Sequence, residues 1–359
     1  MIIVAKVLMK GNEAFAAAAI KGGCRYFFGY PITPQNEVPE YMSRELPKVG
    51  GCFLQAESEI AAINMVYGAS CAGARVMTSS SSPGIALKQE GISFLASAEL
   101  PCVVINVSRA GPGIGGIQPG QADYYQSTRG GGNGDYQVIV YAPASVQEAV
   151  ELTANSFEIA DFYRNPVMIL GDGMIGQMME PVELKEPLKR DLPPKDWALT
   201  GTEGKRTHNT IKSLALEPED LEKINLKLKA KYDYICEKEV QYETYNLEDA
   251  EIILVAYGTV SRIAKAVIED LAALNIKAGL IRPITLWPFP YKAFEKLPST
   301  TKSVMSVEMS FGQMIDDVKI GVNGKVPVDF YGRTGGNIPS PEEIVNKVRE
   351  ILGGAQSCQ

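Results

Sequence analysis

Three short segments of the sequence carry side chains that could do chemistry. In the first, Glu57-Ser58-Glu59, two carboxylates stand between the apolar run 52–54 and an Ala-rich helix. A carboxylate that enters such a helix commonly complements the helix dipole, but a partly desolvated carboxyl group there can also share a proton with a ligand. The second is Arg109, at the end of an apolar strand, which suits either a sheet-edge ion pair or the binding of a carboxylate. From the residues alone, both pairs of alternatives stay open.

The third segment is Tyr30-Pro31-Ile32-Thr33-Pro34, which follows an apolar strand directly. The two prolines fix φ on either side of a hydroxyl, so the turn is stiff and holds Thr33 at the carboxyl end of the strand. Open α/β sheets bind ligands at that end. An ordinary rigid turn explains the spacing equally well.

A fourth segment, 111–116, formally satisfies the dinucleotide motif G-x-G-x-x-G after a strand. A Rossmann fingerprint must open a helix, whereas Pro119, Gly120 and the glycines of 130–134 keep this backbone irregular. The pattern favours a Gly-rich loop at the edge of some other pocket.

The elements that must position these residues alternate between short apolar runs and helical patterns, which is typical of an α/β fold with parallel sheets flanked by helices. A first unit has predicted strands at 25–30, 76–78, 101–107, 138–142 and 166–170, and helices at 11–20, 60–72, 83–98 and 146–163. A second has strands at 252–256, 277–281, 303–308 and 326–331, and a helix at 262–274. Its last helix begins with a capping box, Ser340-Pro341 with Glu343, and runs to 352.

The composition changes between the two units, where the chain becomes charged and contains one amphipathic helix through Leu221, Ile224, Leu228 and Ile235. We therefore divide the chain into an α/β domain over 1–195, a charged connector over 196–248 and a second α/β domain over 249–359.

Composition excludes several classes of function. The net charge is −7 and no Lys/Arg block stands out, which speaks against nucleic-acid binding. The single histidine, His208, lies in a polar segment, so a Ser-His-Asp triad or a multi-His metal site has no support. The six cysteines form no C-x-x-C pair, which predicts no iron–sulfur cluster on this chain and reduced thiols in the cytoplasm. No apolar run reaches the length of a membrane span.

Six blocks in order along the chain, at 11–34, 55–84, 104–126, 256–271, 281–290 and 307–314, carry a resemblance to a known family. The YPITP and SE-x-A-A blocks are its most specific parts. Together they are similar to the alpha-type subunit of the 2-oxoacid:ferredoxin oxidoreductases, over nearly the whole chain outside the connector.

The resemblance implies a thiamine-diphosphate-enzyme pyrimidine-binding-like domain followed by a transketolase C-terminal-like domain. Glu59 matches the catalytic glutamate that contacts the aminopyrimidine ring of thiamine diphosphate. Thr33 and Arg109 match positions that meet the 2-oxo and carboxylate end of the substrate, and Pro31 and Ile32 fall in the cofactor-binding turn. The implied reaction is oxidative decarboxylation of a 2-oxo acid to acyl-CoA, with electrons passed to ferredoxin.

The sequence also departs from what a complete enzyme needs. Gly171-Asp172-Gly173 resembles the start of a diphosphate and Mg²⁺ motif but is followed by no Asn until Asn209, so Asp172 is interpreted as a turn residue at the end of a strand. The resemblance therefore implies that a beta subunit carries the diphosphate and Mg²⁺ site. Gamma and ferredoxin-like delta subunits would supply the iron–sulfur clusters, and this chain would bind no metal.

The substrate is expected to be aliphatic. The loop after Arg109 is small and apolar, its next cation is Arg129, and it resembles the branched-chain (2-oxoisovalerate) members of the family. A 2-oxoglutarate enzyme would need a second cation for the distal carboxylate. The alternatives are a 2-oxoglutarate enzyme, or a scaffold subunit without catalytic residues; a transketolase or dehydrogenase without ferredoxin is disfavoured because those relatives place histidines around the cofactor.

Overall fold

The computed structural model describes residues 6–354. Up to residue 182 the strands are β1 (Val7–Lys10), β2 (Tyr26–Gly29), β3 (Cys52–Gln55), β4 (Val76–Ser80), β5 (Cys102–Ser108), β6 (Ile139–Tyr141), β7 (Pro166–Asp172) and β8 (Met179–Val182). The helices there are α1 (Gly11–Lys21), α2 (Glu37–Glu45), α3 (Glu59–Cys71), α4 (Ser82–Ser97), α5 (Tyr124–Thr128), α6 (Val146–Tyr163) and α7 (Gly173–Gln177).

The rest of the chain adds α8 (Pro218–Lys238), β9 (Tyr242–Tyr245), β10 (Ile252–Val255), α9 (Gly258–Ala273), β11 (Ala278–Pro283), β12 (Thr285–Trp287), β13 (Ser303–Glu308), α10 (Met314–Val322), β14 (Val328–Gly332) and α11 (Pro341–Gly354). Each strand and helix that the sequence pattern predicts has a counterpart, and the boundaries differ by a few residues. The strand 303–308 and the helix 146–163 agree to the residue.

The larger sheet has seven strands in the order β12-β6-β7-β5-β4-β2-β3. All neighbours except β12 and β6 are parallel. β4, β5 and β7 are buried along their whole length, as expected for parallel strands covered on both faces. Because parallel strands point the same way, the segments that follow β2, β3, β4, β5 and β7 all emerge at one edge of this sheet.

The smaller sheet has five strands in the order β14-β13-β10-β11-β9. Its neighbours are parallel except for β9, which runs antiparallel to β11. The predicted capping box opens the last helix: the Glu343 amide donates to Ser340 Oγ over 3.2 Å, and the Ser340 amide donates to a Glu343 carboxylate oxygen over 2.9 Å. A separate two-stranded sheet pairs β1 with β8. The α/β fold class is confirmed.

Two strands cross the division that the sequence suggests. β9 lies within the charged segment 196–248 but pairs with β11 of the smaller sheet, and β12 follows β11 but pairs with β6 of the larger sheet. The amphipathic helix α8 buries Leu228, Tyr232 and Ile235 in the core of the larger sheet. The connector is therefore packed onto both sheets.

The structure shows where the cysteines and the single histidine lie. Cys24, Cys71 and Cys102 are buried free thiols, whereas Cys52 and Cys236 are exposed free thiols, and Cys358 lies outside the described residues. Burial raises the pKa of Cys24 and of Cys102 to about 12. His208 is exposed in a segment without regular structure. Between residues 6 and 354, no helix is both long enough and apolar enough to cross a membrane.

Candidate active site

Arg109 and Thr33 come from different strands and are in direct contact. Thr33 lies in the turn after β2, and Arg109 follows β5. The Arg109 guanidinium is 7% exposed and donates one hydrogen bond of 2.8 Å to the Thr33 carbonyl and one of 2.7 Å to the Ile114 carbonyl. The structure thus brings together two residues that the sequence assigns to the substrate. Pro31 is exposed and Ile32 is partly buried in the same turn.

A buried polar network fixes the backbone of Arg109. The Arg109 amide donates to Ser82 Oγ over 2.9 Å, and Ser82 Oγ donates to an Asp123 carboxylate oxygen over 2.7 Å. Asn106 Nδ2 donates to the same oxygen over 2.9 Å. Burial raises the pKa of Asp123, against the lowering effect of these hydrogen bonds and of the Arg109 charge. Arg109 is therefore held by the first turn of α4 as well as by its own strand.

Glu59 is the first residue of α3, which begins after β3 at the same edge of the sheet. Ser58 caps this helix, because its Oγ accepts a hydrogen bond of 3.1 Å from the Ala61 amide. Glu59 is 6% exposed, whereas Glu57 is exposed. One Glu59 carboxylate oxygen lies against Gly84 of α4, where an added Cβ would approach it to 2.7 Å. The buried carboxylate therefore faces the N-terminal turn of α4, next to Ser82.

The Gly-rich segment after Arg109 is a loop, as predicted. Its ends are joined by a hydrogen bond of 2.8 Å from the Ala110 amide to the Gln118 carbonyl. Gly115 has φ +57 and lies so close to Ala110 that a Cβ would come within 1.9 Å of its carbonyl oxygen. The next helix, α5, begins at Tyr124. This geometry contains no helix N-terminus for a pyrophosphate, so the dinucleotide alternative is wrong.

A cleft of about 500 Å³ borders the Arg109–Thr33 contact. Its lining comprises Thr33, Pro34, Asn36, Glu37, Ile117, Gln118, Pro119, Gly173, Met174, Gln177 and Ile338. Burial alone would raise the pKa of Glu37, but hydrogen bonds from Asn12, Gln177 and Lys10 outweigh it and lower that pKa. Glu37 is the charged member of this lining and is paired with Lys10 over 3.1 Å, and all members of the lining lie within the described residues. Glu59 and Arg109 lie outside the lining itself.

Asp172 is the turn residue that the sequence predicts. It ends β7 and caps α7, where one carboxylate oxygen accepts hydrogen bonds of 3.0 Å from the amides of Met174 and Ile175. The same oxygen accepts a hydrogen bond of 2.9 Å from Thr259 Oγ1, at the start of α9. Asp172 is 3% exposed, and this burial raises its pKa. It therefore joins the two sheets.

Four buried polar atoms in the segments that carry Glu59 and Arg109 or pack on them lack a hydrogen-bond partner within residues 6–354: Ser80 Oγ, Ser81 Oγ, Ser108 Oγ and Arg109 Nε. Similar atoms occur elsewhere in the described residues, so this property alone does not mark a ligand site. A ring with both donors and acceptors on its rim, such as an aminopyrimidine, offers suitable partners for these four. The described residues contain no group of three or more His, Cys, Asp or Glu side chains that could hold a metal ion.

Sequence reasoning missed Ser82, Asp123 and Asn106, which form the network behind Arg109, and Lys88, a fully buried cation on α4. The first three are ordinary polar residues in the sequence, and their role depends on contacts between segments far apart in the chain. Lys88 could have been noticed in the sequence, because it is a lone cation on a helix of small and apolar residues, four positions after Gly84.

Comparison with known families identifies the chain. Residues 17–244 match the family described as pyruvate flavodoxin/ferredoxin oxidoreductase, thiamine diP-bdg. The chain belongs to this family. Residues 250–344 match pyruvate:ferredoxin oxidoreductase core domain II. The match changes from one family to the other between 244 and 250.

Curated relatives within the 2-oxoacid oxidoreductases extend over the whole chain. The ketoisovalerate oxidoreductase subunit VorB of Methanothermobacter marburgensis is 51% identical over 98% of this chain and 99% of its own. The 2-oxoglutarate synthase subunit KorA of Methanocaldococcus jannaschii is 38% identical over 96% of this chain and 99% of its own. These relatives confirm the predicted alpha-type subunit of a 2-oxoacid:ferredoxin oxidoreductase.

Two solved structures confirm the predicted fold. The 2-oxoglutarate:ferredoxin oxidoreductase of Magnetococcus marinus, with 2-oxoglutarate, coenzyme A and succinyl-CoA bound, superposes with a TM-score of 0.85 at 27% identity. The alignment covers 97% of this chain and 65% of that longer one. A split-gene transketolase aligns over 96% of this chain and 98% of its own with a TM-score of 0.60 at 14% identity, which shows the shared fold alone.

Proposed function

We propose that this oxidoreductase subunit binds the aminopyrimidine side of thiamine diphosphate with Glu59 and the carboxylate of a 2-oxo acid with Arg109. The cofactor, when bound, supplies the electron sink for the carbon that loses carbon dioxide. Glu59 shares a proton with a ring nitrogen, and its burial keeps water from competing for that proton. Arg109 fixes the substrate carboxylate, and Thr33, with Pro31 and Ile32, shapes the turn on which substrate and cofactor meet.

One observation carries the proposal. Thr33, Glu59 and Arg109 come after three different strands, β2, β3 and β5, and yet lie at one edge of the sheet, where Arg109 Nε and Ser80 Oγ lack a hydrogen-bond partner within residues 6–354. A scaffold that only docked other subunits would have no reason to gather an arginine and a buried carboxylate there. A guanidinium has five N–H donors, and Arg109 directs two to backbone carbonyls, so Nε and the remaining terminal hydrogens stay free for a carboxylate.

Other chains complete the proposed enzyme. Asp172 is buried, and one of its two carboxylate oxygens already accepts two amides and a hydroxyl in its role as a helix cap. We therefore assign the diphosphate and Mg²⁺ site to a beta subunit and the iron–sulfur clusters to gamma and ferredoxin-like delta subunits. In this assembly coenzyme A takes the acyl group and ferredoxin takes the electrons. The free thiols of the described residues suit a reducing compartment, and we assign the complex to the cytoplasm.

The proposed substrate is a branched aliphatic 2-oxo acid of the 2-oxoisovalerate type. The cleft beside Arg109 is lined by neutral residues and by the anionic Glu37, and it presents no lysine or arginine among the described residues. Arg129, the next cation after Arg109, is engaged elsewhere: it pairs with Asp317 over 3.0 Å and lies over the Tyr125 ring. A distal carboxylate would thus find no free cation in this lining, since Lys10 is already paired with Glu37 over 3.1 Å, which disfavours 2-oxoglutarate. The higher identity to VorB than to KorA supports the same choice.

The assembled complex tests this proposal directly. We expect kcat/KM to be highest for 2-oxoisovalerate, lower for pyruvate and lowest for 2-oxoglutarate. One methylene in an apolar pocket is worth about 1–3 kcal/mol, so other aliphatic 2-oxo acids should also react. A kcat/KM that is highest for 2-oxoglutarate would contradict the proposed substrate. In that case Glu37→Gln should leave the ratio of kcat/KM for 2-oxoglutarate and 2-oxoisovalerate unchanged, because the distal carboxylate of 2-oxoglutarate would lie outside this cleft.

A further inference from the structure

Lys88 is a buried cation that the reaction described so far does not use. It lies on α4 with its side chain fully enclosed, among the largest fully buried side chains of the described residues. Its Nζ donates a hydrogen bond of 2.7 Å to Thr78 Oγ1 and one of 3.3 Å to the Ser79 carbonyl, at the carboxyl end of β4. Ser79 Oγ in turn donates over 2.5 Å to Gln35, in the turn that carries Thr33. Lys88 therefore lies directly beneath the proposed active site.

The side chain of Lys88 emerges on the same face of α4 as Gly84. Residues four apart on a helix are neighbours, and Gly84 is the residue that contacts Glu59. A Cβ on Gly84 would come within 2.7 Å of a Glu59 carboxylate oxygen and within 2.1 Å of Ser80 Oγ. The Glu59 carboxylate therefore packs on α4 one helical turn from the position of Lys88.

Among the charges that surround α4, Glu59 is the one that matters for Lys88. The elements packed against α4 carry the titratable residues Glu59, Tyr67 and Cys71 on α3, Cys102 on β5 and Asp172 on β7. Burial lowers the pKa of Lys88 to about 7, and the charge of Glu59 opposes that shift. Within residues 6–354 Lys88 has no direct ion pair, so its ammonium is compensated by neutral oxygens and by Glu59. A methionine could fill the same volume without the cost of a buried charge.

We propose that Lys88 is a positioning residue that supplies the counter-charge of Glu59. Its ammonium stabilises the negative charge on Glu59 inside the protein and, through Thr78 and Ser79, fixes the end of β4 against which Glu59 packs. The proposal rests on the role assigned to Glu59 above. Its electrostatic part, however, can be tested without cofactor or substrate.

The first experiment measures the coupling between the two charges in the cofactor-free, full-length chain. Thermal unfolding is recorded for Lys88→Met, Glu59→Gln and the double variant. Each single change leaves one buried charge without its partner, so the double variant should have a higher Tm than the sum of the single shifts predicts. As a matched control, Lys231→Met removes another largely buried ammonium, which lies near Glu99, and should be additive with Glu59→Gln. Additive shifts for Lys88 and Glu59 would overturn the pairing.

The second experiment measures catalysis in the assembled complex. Lys88→Met and Lys88→Gln should each lower kcat at least tenfold and change the KM of the 2-oxo acid less than twofold, because Lys88 does not touch the substrate. Lys88→Gln retains hydrogen-bond donors without the charge, and it also serves as the second variant if Lys88→Met does not fold. Wild-type kcat in Lys88→Gln would overturn the proposed role of the charge. Lys231→Met should leave kcat unchanged.

The two experiments separate the inference from the proposed function. Non-additive stability with a large loss of kcat in both Lys88 variants and in Glu59→Gln supports both. If the stabilities are coupled but Glu59→Gln retains full kcat, the pairing stands and the assignment of Glu59 is wrong. If Glu59→Gln loses activity while the Lys88 variants retain it, the assignment of Glu59 stands and the counter-charge role of Lys88 is wrong.

Discussion

The Arg109 guanidinium donates to the Thr33 carbonyl over 2.8 Å and to the Ile114 carbonyl over 2.7 Å. This one side chain therefore joins the turn after β2 to the Gly-rich loop after β5. The loop exposes Ile114 and Ile117 to 81% and 58%, so it presents apolar side chains beside the cation. An arginine that binds the substrate carboxylate from this position would at the same time hold the Gly-rich loop next to the aliphatic part of the substrate.

Replacement of Arg109 by lysine should raise the KM of the 2-oxo acid. A point charge cannot reproduce the fork that holds two carbonyls and still has donors for a carboxylate. Loss of a charge-assisted hydrogen bond costs about 1.5–3 kcal/mol, which corresponds to roughly 10- to 150-fold in kcat/KM. Steady-state kinetics of the assembled complex measure the change. Arg129→Lys is the control, and equal KM values for wild type and Arg109→Lys would show that Arg109 is only structural.

Glu59→Gln should leave the complex assembled but remove most of its activity. The amide retains the shape of the side chain but cannot share the proton, and general acid–base contributions are typically about 10²–10⁴ in rate. Glu57→Gln is a close control, since it is the same substitution two residues away on an exposed side chain. Similar losses of kcat in the two variants would contradict the assignment of Glu59.

Gly84→Ala should reduce both kcat and stability. The new Cβ would come within 2.1 Å of Ser80 Oγ and 2.7 Å of a Glu59 carboxylate oxygen, so both buried side chains must shift, at a cost of about 1–3 kcal/mol. The better helix propensity of alanine offsets only part of that cost. Gly68→Ala on α3, where an added Cβ meets nothing within 4 Å, controls for the substitution itself. A Gly84→Ala complex with wild-type kcat would show that the exact position of Glu59 is unimportant.

The isolated chain should bind thiamine diphosphate weakly and should not turn over 2-oxo acids. Its edge of the larger sheet offers contacts to the pyrimidine, but Asp172 is a buried helix cap and no Asn follows it before Asn209, so the diphosphate and Mg²⁺ half of the site is missing. Calorimetry of the purified chain with the cofactor and Mg²⁺ checks this. Submicromolar affinity would mean that the chain carries a complete site.

The stability of the cofactor-free chain should depend on pH through Lys88. The pKa of Lys88 is about 7 in the folded chain and, as for any exposed lysine, near 10.5 in the unfolded chain. Between these values the unfolded chain holds the proton and the folded chain does not, so this residue makes stability rise with pH from about 7 to about 10.5. Relative to Lys88→Met, the Tm of the wild type should therefore increase over that range. The exposed Lys205→Met should follow the wild type, and parallel curves for wild type and Lys88→Met would contradict the lowered pKa.

Local patterns were enough to determine most of the elements and to place the candidate site residues along the chain. The alternation of apolar runs and helical periods predicts the strands and helices to within a few residues, because each pattern reflects burial within one element. Arg109 directly follows a strand, Thr33 lies in a stiff turn after one, and Glu59 opens a helix, but their roles come from the family resemblance. The capping box of the last helix and the turn role of Asp172 are local features of the same kind.

Only the tertiary structure decided how these residues act on one another. β12 joins the larger sheet and β9 the smaller one because strand pairing depends on partners distant in the chain, which no local pattern specifies. For the same reason the sequence gives no sign that Ser82 and Asp123 hold Arg109. Lys88 shows the limit most clearly: a lysine four positions after Gly84 is visible in the sequence, but whether its ammonium lies in water or is buried against β4 depends on how α4 packs.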